Sequence, residues 1–453
     1  MLLTTWVAAR FLMPEHYAAA AIVLSTTAFF ELLSQFGFAQ AIIGVKDRSE
    51  RFVNTCFTTS LLLASVLYLI LFLVSPFIER YYSVVDLSLF LRINGLLLFL
   101  TLVTAIPFAL LERDLNFKSF ALVNWFTSVG IFLTTVPMAL GGMGVWVLII
   151  PRLVGVTLGG VLALWFARYL PKISFSIDAL KKSFNFGISA LISNFTNYIS
   201  NHTPILLMGK VWAQATLGVF SFVNNNYRRP LDIISAQFTS SLFPILVRVS
   251  DRTDLLRMTF LGVIRIGFFL ITPLYVVFIV GAQVIVPGVF GDQWVQAIVP
   301  FQILCCLPII RILTFGVSNT LYAINLPHLT ARISAIRMVL IVSLLFIFFL
   351  MKLDLVKTLI WLIIPETLIV FYYHLTCIRR LESSVLEVAR VLLVPMSLNL
   401  GLALALGVAV VGLKAQNWYN IWGYLIAASV SGLGYLTLAQ REFRAQINLI
   451  RNL

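Results

Sequence analysis

The sequence predicts an all-α, polytopic membrane protein of about fourteen transmembrane helices. Three observations carry that expectation. Of 453 residues, 60% are hydrophobic and 11% charged, where an ordinary soluble domain carries about 25% charge. Apolar segments of about 18 residues or more, enough to cross a bilayer as a helix, recur from end to end. No stretch between them is long enough to fold as a soluble domain, which argues against an enzyme with its own catalytic module.

The span cores fall, in order, at 1–13, 17–43, 52–78, 89–111, 118–140, 144–168, 185–209, 216–243, 259–286, 296–323, 329–351, 356–377, 389–412 and 418–440. The first, MLLTTWVAARFL, is too short to span. It lacks the basic region and cleavage site of a signal peptide, so it reads as a truncated first helix or one that begins upstream of Met1. The loops that separate the spans alternate in charge. One set holds Lys46, Arg48 and Arg51; Arg113 and Lys118; Arg168, Lys172, Lys181 and Lys182; Arg248, Arg252 and Arg257; Arg332 and Arg337; Arg379, Arg380 and Arg390. The tail adds Arg441, Arg444 and Arg451. The alternate set holds only Arg80, Lys210, Lys352, Lys357 and Lys414, with Arg10 and Arg92 nearby. Positive loops stay inside, so the rich side is cytoplasmic, and both termini with it. The expected location is the cytoplasmic membrane.

The longest polar connection, RYLPKISFSIDALKKSFNFG at 168–187, divides the chain into six spans and then eight. A faint internal repeat straddles it. ARFLMPEHYAAAAIV at 9–23 lies over GKVWAQATLGVFSFV at 209–223, with Arg10 over Lys210, and LFLRINGLLLFL at 89–100 follows the pattern of PFQILCCLPIIR at 300–311. The expected architecture is two pseudo-symmetric six-helix lobes, 1–170 and 184–380, joined by a basic linker at 171–183. A C-terminal helix pair and tail follow at 381–453. Transporters built from parallel repeats place their substrate between such lobes.

The stretch SFVNNNYRRPLDIISAQF at 221–238 puts three asparagines, two arginines and an aspartate inside an apolar run. Read as a helix, Ser221, Asn225, Arg228, Asp232, Ser235 and Thr239 fall on one face, with Asn226 and Arg229 beside it. Pro230 should kink the helix. Each charge at mid-membrane costs about 2.5–3.5 kcal/mol, so three cost roughly 8–10. The Leu, Ile, Val and Phe residues of the span return about 4–8 kcal/mol. This face therefore turns from lipid toward a wet cavity or a protein neighbour. Arg228 and Asp232, four residues apart, are spaced to neutralise each other instead; Arg229 has no acid at helical spacing in its own span.

Other spans repeat the theme. Ser189, Ser193, Thr196 and Ser200 line up in span 7, with Asn197 and Asn201 alongside. Span 2 holds Thr27, Glu31 and Ser34. Arg152 lies in span 6, Arg311 in span 10 and Glu366 in span 12. Arginine exceeds acid within the spans, and a guanidinium cluster suits phosphate or carboxylate. Arg228, Arg229, Arg152, Arg311, Asn224, Asn225 and Asn197 are the expected substrate-binding residues. Glu31 and Asp232 are read either as carriers of a coupling proton or sodium ion or as structural counter-ions.

Taken together, ARFLMPEHYAAAAIV, SQFGFAQAII, ERDLNFKSFALV, SFNFGISALISNFTNYISN, LGVFSFVNNNYRRPLDIIS, SLFPILVRVSD and FGDQWVQAIVPFQIL resemble bacterial polysaccharide-export flippases. These are Wzx-like proteins, the polysaccharide transporter branch of the multidrug/oligosaccharidyl-lipid/polysaccharide exporter superfamily. The chain departs from the family at Ala18, where glycine is usual, and in lacking N-terminal residues. The resemblance implies that a polyprenyl-pyrophosphate-linked oligosaccharide (an O-antigen, capsule or exopolysaccharide unit) is turned from the cytoplasmic to the periplasmic leaflet by alternating access. It implies a positively charged central cavity and, as partners, membrane lipid, a polysaccharide polymerase and other biosynthetic membrane proteins.

The net charge of +14 reflects loop topology, and no nucleic-acid partner is expected. Cys56, Cys305, Cys306 and Cys377 lie in apolar segments without metal-ligand spacing and read as small hydrophobes. No metal, cofactor or catalytic constellation is expected, and His16, His202, His328 and His374 are scattered. The alternative is a multidrug or small-molecule exporter on the same architecture, which would want an acidic, aromatic cavity for cations. The arginine excess argues against it.

Overall fold

The computed structural model describes residues 2–45, 49–416 and 418–451. Side chains are described throughout these except at 2, 185–187, 189, 190, 193, 236–241, 243, 244, 327 and 441–451. Lys46 and Arg48, and the side chains of Ser189, Ser193, Thr239, Arg441, Arg444 and Arg451, therefore lie outside the described residues. The chain divides into two compact units, Met1–Ser221 and Phe222–Leu453. Among the described residues the regular structure is all helical. Eleven helices there are long and apolar enough to cross a membrane, which makes this a multi-pass membrane protein.

The first unit runs α1 (Leu2–Phe11), α2 (Pro14–Gln35), α3 (Phe38–Gly44), α4 (Glu50–Tyr82), α5 (Leu87–Gly95), α6 (Leu97–Arg113), α7 (Phe117–Leu140), α8 (Trp146–Ala167) and α9 (Ile177–Met208). It ends inside α10 (Gln214–Arg248). The apolar run at 17–43 is not one helix. Phe36 and Gly37 take left-handed backbone, with φ of 41° and 74°, and separate α2 from α3. Residues 18–23 of α2 are all buried, because alanines at four successive positions, Ala18 to Ala21, let neighbours close in from every side. α8 packs on α7 through Gly155 and Gly159, where a Cβ would strike Ile131 and Thr127. Gly218 of α10 lies directly against the Pro14 carbonyl of α2. The chain after α8 is strapped to α4: Tyr169 Oη donates to Asn54 Oδ1 (2.7 Å), the Lys172 amide to the same oxygen (3.3 Å) and the Ser174 amide to Thr58 Oγ1 (3.1 Å).

The second unit contains α11 (Thr253–Ile285), a π-helical turn at Val286–Phe290 and a 3-10 turn at Asp292–Ala297. α12 (Ile298–Arg311), a 3-10 turn at Ile312–Thr314, α13 (Val317–Ala323), α14 (Pro327–Leu350), α15 (Leu355–Arg380), α16 (Val385–Ala415) and α17 (Ile421–Arg451) follow. The expected single span at 296–323 is thus interrupted, and Gly316 (φ 79°) turns the chain into α13. α11 is the spine of this unit. Tyr424 of α17 donates to the Val277 carbonyl (2.7 Å), and Tyr435 to that of Phe269 (3.1 Å). α10 continues as a helix through Pro230. The missing proline N–H loosens the ladder there, and the buried Tyr275 hydroxyl of α11 fills in. It donates to the Tyr227 carbonyl at 2.6 Å and accepts from the Leu231 amide.

Candidate functional site

The first unit brings two of the expected residues together. Arg152 of α8 reaches Glu31 of α2, with Nη2 at 3.2 Å from Oε2 and 3.4 Å from Oε1. One nitrogen straddles both oxygens, so most of the five guanidinium donors are not spent on the carboxylate. Glu31 is buried and Arg152 only half so. A residue expected to bind substrate and one expected to carry an ion are therefore partners in one ion pair. Asn197 of α9 is exposed and sits one residue before Tyr198.

Tyr198 belongs to an aromatic groove of about 610 Å³ that Phe29, Phe77, Tyr81 and Tyr82 also line. Two of its hydroxyls are turned into the backbone: Tyr82 donates to the Leu206 carbonyl (2.7 Å) and Tyr198 to that of Ser25 (3.0 Å). What these two residues offer a ligand is ring surface.

The second unit holds the densest cluster. Glu366 of α15 is buried, and its Oε1 accepts from Arg311 Nη2 of α12 (3.1 Å) and from Arg337 Nε (3.2 Å) and Nη2 (2.7 Å) of α14. Two guanidiniums on one carboxylate leave a net charge of +1 inside the spans. Arg337 was grouped with the basic loop residues on charge alone. It stands well inside α14, so that placement is corrected. Glu366 completes the cluster, and its position in mid-span was the signal. The arginines lie 55 and 29 residues away, beyond any helical spacing.

Tyr227 and Asp232 of α10 lie within electrostatic reach of Arg311. The polar stripe and the cluster therefore share one neighbourhood. On the stripe, Asn224, Arg228 and Arg229 are half-buried, while Asn225 and Asp232 are exposed. Asn226 bonds back to the Phe222 carbonyl at 2.8 Å. Such an arrangement suits a multivalent oxyanion, because guanidiniums donate paired bonds to carboxylate and phosphate oxygens. The four cysteines are free.

A bundle of long apolar helices with charged clusters inside its spans defines a multi-pass membrane protein. Its chain belongs to a known family: residues 7–299 match the model of the polysaccharide biosynthesis protein family. Among curated relatives, the chain is 21% identical over 297 residues to the teichuronic acid biosynthesis protein TuaB of Bacillus subtilis (strain 168). That match covers 63% of this chain and 60% of the relative. The lipopolysaccharide biosynthesis protein WzxC of Escherichia coli (strain K12) is 24% identical, over 67% of this chain and 62% of its own. The succinoglycan biosynthesis transport protein ExoT of Rhizobium meliloti (strain 1021) is 23% identical, over 65% and 60%. The chain thus spans about 60% of the length of these relatives.

Among solved structures, the lipid II flippase MurJ in an inward closed conformation superposes with a TM-score of 0.76 at 13% identity, covering 98% of this chain and 96% of that one. An inward-facing multidrug resistance transporter of the MATE family, in the MOP superfamily, gives 0.68 at 14% identity, over 84% and 93%. These likenesses establish a shared fold.

Proposed function

We propose that the protein is a flippase for a polyprenyl-pyrophosphate-linked oligosaccharide, moving it from the cytoplasmic to the periplasmic leaflet by alternating access. The observation that carries this is the net positive Arg311–Glu366–Arg337 cluster, built on a buried carboxylate, in reach of Tyr227 and Asp232 on the helix that carries Arg228 and Arg229. A sugar and a pyrophosphate cannot cross hydrocarbon unaided, and fixed guanidiniums supply what the phosphates lose with their water. Family membership supports the reading, as do relatives whose names speak of polysaccharide biosynthesis and transport.

Arg228, Arg229 and Arg311 hold the pyrophosphate. Asn224, Asn225 and Asn197 meet the sugars, and Arg152 adds cationic character in its own unit. Glu31 or Asp232 carries the proton or sodium ion of a coupled cycle. In this reading the protein is a transporter and not an enzyme. It crosses the inner membrane fourteen times with both termini in the cytoplasm, and it works beside a polymerase and other biosynthetic proteins. The cationic cluster disfavours the alternative, a multidrug exporter for cations.

The test compares source cells with and without the gene and probes which leaflet holds the lipid-linked glycan. Accumulation on the cytoplasmic side with loss of surface polysaccharide is expected, and complementation by an Arg228→Gln/Arg229→Gln variant should fail at normal membrane level. Unchanged pools in cells with no second flippase would overturn the function. Normal export by the variant would overturn the assignment of these arginines.

A further inference from the structure

The segment that follows α8 does more than connect. Its backbone is fastened to Asn54 and Thr58 of α4, which fixes the position of a cavity of about 730 Å³ beneath it. The walls come from Asn116 and Ser119 at the start of α7 and from Leu164, Trp165, Arg168 and Tyr169 at the end of α8. The volume falls in the range of small-molecule sites.

Its lining is divided in kind. Arg168, Asn116, Ser119 and Tyr169 carry polar groups, while Leu164 and Trp165 are apolar. Around the mouth, Trp165, Leu170 and Ile173 are 71%, 79% and 84% exposed. In a membrane chain such residues meet the acyl region just below the headgroups, and Trp is characteristic of that level. Lys172, further along the strap, is exposed and pairs with Glu50 at 3.6 Å. At the end of α6, Arg113 Nε donates to Asp114 Oδ1 at 3.5 Å, while its Nη1 is buried with no hydrogen-bond partner among the described residues. A guanidinium, Arg168, beside the polar groups of Asn116, Ser119 and Tyr169 and the exposed apolar side chains of Trp165 and Leu170 matches one occupant, a lipid whose charge is negative at the headgroup and whose chains run past Trp165 and Leu170.

We propose that this cavity is a binding site for the phosphate headgroup of an anionic glycerophospholipid in the leaflet facing the basic loops. It is separate from the intramembrane arginines and does not depend on the transported substrate. The lipid phosphate sits against Arg168, and its chains cover the apolar rim of the strap. Bound there, the lipid bridges α7, α8 and the segment at 168–176.

The experiment uses the purified full chain in mixed micelles, with native mass spectrometry reading retained lipid. The probes are dioleoylphosphatidylglycerol and dioleoylphosphatidylcholine at equal concentration. One basic group near an anionic lipid is worth a preference of about five-fold, and that preference for phosphatidylglycerol is expected. Arg168 has left-handed backbone, with φ of 49°, so Asn is the substitution that tolerates the position. Arg168→Asn should remove the preference and Arg168→Lys keep it. An Arg379→Gln/Arg380→Gln variant, also basic and cytoplasmic by the loop charges but off the cavity, should leave it unchanged.

Equal retention of the two lipids by the unmodified protein would overturn the proposal, and needs no variant to fold. So would an equal fall in the Arg168 and Arg379/Arg380 variants, which would mean diffuse charge. Displacement of the lipid by the same concentration of inorganic phosphate would mean a free-anion site and would also overturn it.

Discussion

Glu366 is the residue on which the second unit's charge balance turns. It is buried and serves two arginines, so Glu366→Gln leaves both without their carboxylate. Breaking a buried pair from one side costs about 3–5 kcal/mol, and the purified variant should melt at a clearly lower temperature. The double variant Glu366→Gln/Arg337→Gln should recover part of the loss, since one uncompensated charge goes with it. A double variant as unstable as the sum of its single changes would mean that the two residues do not interact. Tyr275 makes a second case. Tyr275→Phe deletes the hydroxyl that serves the helix next to Pro230, and an unmade buried hydrogen bond costs about 1–3 kcal/mol. Intramembrane charge makes Arg152, Arg311, Glu31 and Glu366 visible in sequence. Their pairing is not visible, because Arg152 lies 121 residues from Glu31 and only the fold brings them together.

At the scale of elements, close approach sets the tolerances. A Cβ at Gly218 would run into the Pro14 carbonyl, and backbone cannot swing aside as a side chain can. Gly218→Ala should therefore cost at or beyond the upper part of the usual overpacking range, about 1–3 kcal/mol. A fluorescence-detected thermal melt in detergent checks it. The strap at 168–176 has the opposite weakness. Its two bonds to Asn54 are lost in Asn54→Ala, and trypsin should then cut after Lys172 several times faster than in the unmodified protein. The boundaries of most spans were legible from apolar runs and charged loops alone. The break at Phe36–Gly37 and the turn at Ile312–Thr314 were not. In both, apolar residues continue across the interruption, so composition does not change where the backbone does.

At the scale of the whole molecule, the charge of the loops carries a statement about direction. The loops that hold Arg168, Lys172, Lys181 and Lys182, then Arg248, Arg252 and Arg257, then Arg379, Arg380 and Arg390 are basic, while those near Lys210 and Lys352 are sparse. Alternation of this kind fixes orientation through the cost of moving Lys and Arg across the bilayer. It also fixes the parity of the spans between any two loops: one between 176 and 210, one between 210 and 250, and three between 250 and 352. α11, the interrupted segment Asp292–Ala323 and α14 are long and apolar enough for the last three, and the spans expected from the sequence at 185–209 and 216–243, which fall in α9 and α10, stand for the first two. Single cysteines placed at 175, 213, 251, 353 and 383, on a background where the four native cysteines are serine, should react with a membrane-impermeant maleimide on intact cells in a fixed pattern. Positions 213 and 353 should label, while 175, 251 and 383 label only after permeabilisation. A reversed pattern would turn the molecule over in the membrane and remove the direction of transport proposed for it. A pattern in which 213 and 353 fall on opposite sides would break the crossing count between them and require one of these helices to lie outside the bilayer.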